Sequence, residues 1–258
     1  MSDFYDTLGF DAQTTLSSGY YNTFQPTPSL RLSLKKAILK CNKTPIIAEV
    51  KLASPTLGSI RENKAIAEIA QAIERGGATA ISVLTEPKHF KGSLNNLSTV
   101  RRAVKLPLLM KDIILSTTQI ITAVNIGADA VLLIQTLYDR GYGETNIDNM
   151  IEFAHEVGLE VLLETHTAEE FQAAKKTNAD LIGINNRNLA DLKIDLNNTQ
   201  KVLKTNSFKN IIVISESGIH TSADIQFLRQ TGASAFLIGS SIMLTENIEE
   251  KVREFVNA

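Results

Sequence analysis

The 258 residues suit one large domain, and α/β barrels commonly reach this size as a single unit. A formal net charge of -2 with 21% charged residues provides no basic footprint for nucleic acid, so any anion must be held by a local site. Cys41 is the sole cysteine, which excludes an intrachain disulfide and fits a reducing compartment.

Met1–Asp6 carries early acids and lacks a basic-then-apolar signal pattern. No apolar stretch reaches the roughly 18 residues of a membrane span. A cytoplasmic protein without a membrane partner is expected. Residues 1–44 read as an N-terminal extension, with Leu30–Lys40 helical. It is too short for a second domain and is expected to pack on the main fold, capping one end or helping to close a site.

Residues 45–258 carry eight short apolar runs. They are Pro45–Val50, Ala80–Leu84, Leu106–Met110, Ala128–Ile134, Leu159–Leu163, Asp180–Ile184, Ile211–Ile214 and Ala235–Ile238. Their starts fall roughly 20 to 35 residues apart, near the ~30 of a βαβ unit. They are almost continuously apolar, as expected for parallel strands covered on both faces. Between them lie helical patterns, such as Ile66, Ile69, Ala70 and Ile73, and Ile225, Phe227 and Leu228. Gly76-Gly77, Gly127 and Gly232 precede runs, where glycine takes a left-handed helix cap; Gly158 and Asn178 are read the same way.

Eight such units predict a (β/α)8 TIM barrel over 45–258, a single catalytic domain, with an open doubly wound sheet as the alternative. No Gly-x-Gly-x-x-Gly follows the first run, which disfavours a dinucleotide-binding sheet.

Most runs end in a polar residue, which in a closed barrel places those residues on one rim. Glu49 and Lys51 are two apart and share a strand face, with Val50 and Ile47 expected to pack outward. Lys111 ends the third run and Glu164 the fifth. Two lysines and two glutamates offer acid/base pairs whose pKa values burial and mutual charge can tune. Any one alone reads equally well as a structural ion pair; four at strand ends favour chemistry.

Asn185 and Arg187 again share a face and suit hydroxyl, carboxylate or phosphate recognition, while Asn186 and Asn188 read as turn residues. Glu216-Ser217-Gly218 ends the seventh run and Gly239-Ser240 the eighth. Loops after strands seven and eight of a barrel often build a phosphate site. Ser54, in the loop after the first run, reads as an ordinary turn residue or as a donor to the same phosphate. Phe90 reads as a partner for an aromatic ligand or as a core anchor for its loop. His89, His155, His166 and His220 show no zinc-ligand spacing, so no metal is expected. No Gly-x-Ser-x-Gly elbow or reactive-cysteine context points to covalent catalysis.

These residues resemble the indole-3-glycerol-phosphate synthase family. The resemblance lies in Pro-Ile-Ile-Ala-Glu-Val-Lys-Leu-Ala-Ser-Pro (45–55), Ser-Val-Leu-Thr-Glu-Pro-Lys-His-Phe-Lys-Gly-Ser (82–93), Leu-Met-Lys-Asp (109–112), Ile-Gly-Ile-Asn-Asn-Arg-Asn-Leu (182–189), Ser-Glu-Ser-Gly-Ile (215–219) and Leu-Ile-Gly-Ser-Ser (237–241). It implies ring closure of 1-(2-carboxyphenylamino)-1-deoxyribulose 5-phosphate to indole-3-glycerol phosphate in tryptophan biosynthesis, with loss of carbon dioxide and water. It makes Lys111 the general acid, Lys51 the holder of the substrate carboxylate, and Glu164 the partner in dehydration, with Glu49 positioning or relaying protons. Asn185 and Arg187 orient substrate; Ser54, Ser217, Gly218, Gly239 and Ser240 hold phosphate; Glu216 meets a sugar hydroxyl or a neighbouring cation.

The resemblance requires no cofactor. The expected partner is a small phosphorylated molecule, bound by a monomer or weak homo-oligomer. The chain departs from the family at Ile113, where many relatives have phenylalanine, and in a poorly matching first forty residues that lack tryptophan. Two other readings compete: a phosphoribosylanthranilate isomerase, disfavoured because Cys41 precedes the first strand, and a silent phosphometabolite sensor, which has no need of an acid/base set.

Overall fold

The eight runs form eight parallel strands: β1 (Ile46–Val50), β2 (Ala80–Leu84), β3 (Leu108–Lys111), β4 (Ala130–Ile134), β5 (Glu160–Thr165), β6 (Leu181–Asn185), β7 (Val213–Glu216) and β8 (Ala235–Ile238). β1 pairs with β2 on one side and β8 on the other, so the sheet closes into a ring and the open-sheet alternative is excluded. The computed structural model describes residues 3–22, 31–51, 53–54, 58–59, 65–205 and 210–258.

Alternation along each strand sorts its residues between two cores. Ile46, Ala48 and Val50 pack outward beneath the helices. Ile47, Leu109, Leu132, Leu162, Leu181, Ile214 and Leu237 fill the ring from inside. Ile47 therefore faces inward with Glu49, not outward with Val50 as expected. A period of two allows no other arrangement.

Helices on the outside bury the faces that the sequence marks. α3 (Ile66–Gly76) buries Ile69, Ala70 and Ile73 and leaves through Gly77 at φ +91°. Gly127 does the same at φ +87° after α5 (Thr117–Ile126). Asn178 plays no such part: α8 (Ala168–Ala174) exits through Lys175 in the right-handed region, and Asn178 has no positive φ.

The extension contributes to both ends of the ring. α1 (Phe4–Ser17) lies over the end where the strands finish, and its Tyr5, Leu8 and Ala12 join the inner core. α2 (Leu34–Lys40) plugs the opposite end with Leu34 and Ile38. This helix is shorter than the expected Leu30–Lys40. The Ser33 hydroxyl accepts the Lys36 amide at 2.9 Å and fixes the start, while Leu30 is outside the described residues. α2 is held there by acids at strand beginnings: Leu32 N donates to Asp129 Oδ1 at 2.8 Å, and Lys35 N to Glu160 Oε2 at 2.9 Å.

Candidate active site

All eight strands finish at one rim, which surrounds a cavity of about 490 Å³. Lys111 ends β3, and its Nζ stands 3.1 Å from Glu164 Oε2 and 3.1 Å from Glu216 Oε2. Asn185, at the end of β6, donates Nδ2 to Glu164 Oε1 at 2.8 Å, so both oxygens of Glu164 are engaged. Across the ring Lys51 Nζ pairs with Glu49 Oε1 at 3.0 Å. Arg187 follows β6; its amide donates to Asn185 Oδ1 at 2.9 Å, which orients the Asn185 side chain. Glu49, Glu164 and Glu216 are buried, balanced in charge by Lys51, Lys111 and Arg187.

Burial and neighbouring charge compete at each ionisable group. Burial works against the Lys111 ammonium, but Glu164, Glu216 and Glu49 outweigh it and raise its pKa, so it carries its proton at neutral pH. Burial alone would raise Glu49; Lys51, Lys111 and Arg187 reverse that and lower it. Glu216 goes the other way, raised because burial outweighs its contact with Lys111 and because Glu164 and Glu49 lie near.

Ser217, Gly218, Gly239 and Ser240 form one wall of the cavity. Ser217 and Gly218 both take left-handed backbone, at φ +68° and +78°. For serine this is an uncommon conformation, and it is enforced by Asn186, whose Nδ2 donates to Ser217 O at 3.1 Å and Ser215 Oγ at 3.0 Å. Asn186 is thus a buried strut, where the sequence read a turn residue. Asn188 does sit in a turn, accepting the Ala190 amide at 2.9 Å.

The opposite wall is apolar: Phe4 and Leu8 from α1, with Phe90, Ile113, Leu132 and Ile134. Phe90 packs against the inner core, as its loop-anchor reading expects, and also lines the cavity. Its loop is pinned by buried Glu86, whose Oε2 accepts the His89 and Phe90 amides at 2.7 and 2.9 Å. The cavity therefore offers cationic acid and carboxylate groups between a flat apolar wall and a wall of small residues.

The sequence model of indole-3-glycerol phosphate synthase matches residues 12–255. The chain belongs to the indole-3-glycerol phosphate synthase family.

Similarity to individual members of the indole-3-glycerol phosphate synthase family is extensive. The chain is 47% identical over 230 residues to the indole-3-glycerol phosphate synthase of Methanocaldococcus jannaschii, covering 88% of this chain and 84% of that protein. It is 43% identical over 223 residues to that of Aquifex aeolicus, covering 86% and 84%. Two solved barrels share the fold at low identity. Thiamine phosphate pyrophosphorylase from Pyrococcus furiosus superposes with a TM-score of 0.59 at 18% identity, over 86% of this chain and 96% of that one. N-acetylmannosamine-6-phosphate 2-epimerase from Clostridium perfringens gives 0.61 at 15% identity, over 83% and 93%.

Of the residues expected from sequence, Glu49, Lys51, Phe90, Lys111, Glu164, Asn185, Arg187, Glu216, Ser217, Gly218, Gly239 and Ser240 all line the one cavity. Ser54 is in a short ribbon, 53–54 against 58–59, and its side chain lies outside the described residues. Of the two roles foreseen for Glu216, the structure supplies the neighbouring cation, Lys111.

Sequence reasoning missed Asp112. It is buried beside Lys111 and accepts hydrogen bonds from Tyr21 Oη at 3.0 Å and the Ile113 amide at 2.8 Å, with Thr85 Oγ1 as a third donor. Burial raises its pKa to about 7 against those bonds. It also named no cavity residue within α1, although Phe4, Leu8 and Ala12 stand at the i, i+4 spacing of one helical face.

Proposed function

We propose that the chain closes 1-(2-carboxyphenylamino)-1-deoxyribulose 5-phosphate to indole-3-glycerol phosphate, a carboxy-lyase reaction of tryptophan biosynthesis, by general acid/base catalysis. The observation that carries this reading is Lys111, a half-buried ammonium gripped by two carboxylates at the mouth of a cavity.

As the ring carbon that bears the carboxylate attacks the ketose carbonyl carbon, negative charge develops on the carbonyl oxygen. Lys111 is the acid that protonates it. The surrounding glutamates raise the pKa of Lys111, so its proton passes to a strongly basic alkoxide and not to a neutral ketone. Carbon dioxide departs, returning the bond electrons to the ring. The new hydroxyl then leaves as water, with the ring nitrogen supplying the electron pair. A proton is lost from the adjacent carbon, and the indole is complete. Glu164, held by Asn185, serves this dehydration, with Glu49 behind it.

Lys51 and Arg187 supply positive charge for the substrate carboxylate. The substrate phosphate is assigned to Ser217, Gly218, Gly239 and Ser240, joined by Ser54. Left-handed backbone at 217 and 218 and the start of the short helix Ser240–Met243 favour this, because first-turn amides lack partners within their own helix. The aromatic ring is assigned to the wall of Phe4, Leu8, Phe90 and Ile113.

We further assign residues 45–258 as one catalytic domain with 1–44 packed on it, acting in the cytoplasm as a monomer or weak homo-oligomer. The single cysteine supports the location, and no described helix is long and apolar enough to cross a membrane. The test is direct. Purified protein given the carboxyphenylamino-deoxyribulose phosphate is expected to consume it with the appearance of indole fluorescence; substrate bound but unchanged would overturn the reading.

A further inference from the structure

Two carboxylates of the rim lean across glycines of the neighbouring strand. Glu49 of β1 lies against Gly239, just after β8: a Cβ there would stand 2.5 Å from Glu49 Oε1 and 3.2 Å from its Cβ. Glu216 of β7 lies against Gly183 of β6, where an added Cβ would collide with Glu216 Oε1 and come within 3.4 Å of its Cδ.

Gly183 is the more informative of the two, because nothing else calls for glycine there. It sits in mid-strand without a positive φ, and its register partner on β5 is Glu164. Glycine inside a strand ordinarily weakens it, and often marks a place where something must approach closely. Here the approaching group is a carboxylate. Glu216 Oε1 is buried without a hydrogen-bond partner, while its Oε2 holds Lys111 at 3.1 Å. A buried oxygen with no donor is costly. It persists in this position because the other oxygen is tethered and the floor beneath it is empty of side chain.

The geometry points to Gly183 as a positioning residue for the reaction: its missing side chain leaves the slot from which Glu216 grips Lys111. This rests on the reaction assigned above. Two grips from different strands, Glu164 on β5 and Glu216 on β7, define where the ammonium points. A Cβ at 183 collides only with the free end of a flexible side chain; the nearest backbone atom, Glu164 Cα, stands at 3.5 Å, an ordinary van der Waals contact, so the strand can stay in place. The carboxylate must then swing out of the slot, away from its contact with Lys111. An error of about 1 Å in a catalytic group can cost on the order of 100-fold in rate.

Four proteins test this: the parent, Gly183→Ala, Glu216→Ala and the double variant, each measured for kcat, KM and Tm. Gly183→Ala alone should lower kcat roughly 10- to 100-fold with KM within about threefold, and lower Tm modestly. With Glu216→Ala already present, it should change kcat by less than about twofold and leave Tm unchanged or slightly raised, because nothing remains to be displaced and alanine suits a strand better than glycine.

Equal losses in both backgrounds would mean that Gly183 serves only strand packing, and would overturn the proposal. If Gly183→Ala does not fold, folding restored by Glu216→Ala supports it, and failure in both backgrounds overturns it. A parent that does not turn over the carboxyphenylamino-deoxyribulose phosphate defeats the assigned reaction, and the Tm cycle still decides whether Gly183 accommodates Glu216. An active parent with additive substitutions defeats only the role of Gly183.

Discussion

Both ends of the barrel contain buried carboxylates, yet they are held differently. At the end where the strands begin, Asp129 accepts the main-chain amides of Leu32 and Leu108 at 2.8 and 2.9 Å, along with Arg101 at 3.0 Å. Half-buried Asp180 accepts the Val161 amide at 3.0 Å and half-buried Glu160 the Lys35 amide at 2.9 Å, beside the side chains of His155 and Ser33. At the end where the strands finish, Glu86 and Asp112 are likewise tied to main-chain amides, whereas Glu49, Glu164 and Glu216 are paired with Lys51, Lys111 and Asn185 side chains around a cavity. A carboxylate bonded to the main chain fastens one segment to another. A carboxylate bonded to side chains can exchange partners when a substrate enters. Burial alone does not distinguish the two; the identity of the donor does.

Substitutions at the two ends should therefore fail in different ways. Lys111→Ala should have the largest effect, lowering kcat by about 100- to 10,000-fold while substrate affinity largely survives, as steady-state and binding measurements would show. Turnover near the parent's would take Lys111 out of the acid role.

Asp129→Ala takes the carboxylate from the Arg101 guanidinium, leaving it only the Val104 and Leu106 carbonyls, and should cost about 3 kcal/mol of stability in urea unfolding, with kcat per folded molecule unchanged. A specific loss of kcat would erase the contrast between the ends. Ser217→Ala removes one neutral donor at the small-residue wall and should raise KM roughly 3- to 10-fold with little change in kcat. An unchanged KM would place the phosphate elsewhere.

The gentlest expected signal is a slope. Asp112 keeps its proton in the fold up to about pH 7 but, with an ordinary value of 3.8, releases it much earlier when unfolded. The stability it contributes is therefore complete below its unfolded value and is lost as pH rises toward about 7. Asp112→Asn cannot ionise, so its stability relative to the parent should climb between about pH 4 and pH 7. A flat difference across that window would show that Asp112 ionises normally in the fold.

The polar rim was legible because each polar group lies at the end of an apolar run, and strand closure turns eight separate endings into one place. Lys111 and Glu164 are 53 residues apart in sequence and needed no pairing rule to be found. What escaped depends on contacts between distant segments. Tyr21 reaches Asp112 across 91 residues, and nothing local to either marks the partner. Asn186 looks like its neighbour Asn188 in sequence; only the buried hydroxyls of Ser215 and Thr199 separate strut from turn. Ile47 differs for another reason: the same two-residue alternation that puts Glu49 and Lys51 on one face carries Ile47 inward with them. Gly183 reads in sequence as a flaw in a strand until the carboxylate above it is seen.

The ring is sealed by its first and last strands, β1 against β8. On the ribosome, a nascent chain that has not yet delivered Ala235–Ile238 holds seven strands with two raw margins, and such margins invite aggregation. Glu49 then has no Gly239 to lean on, however well the preceding segments have formed. Proteolytic clipping that removes β8 should therefore open the ring and strip Gly239 and Ser240 from the cavity wall in the same cut.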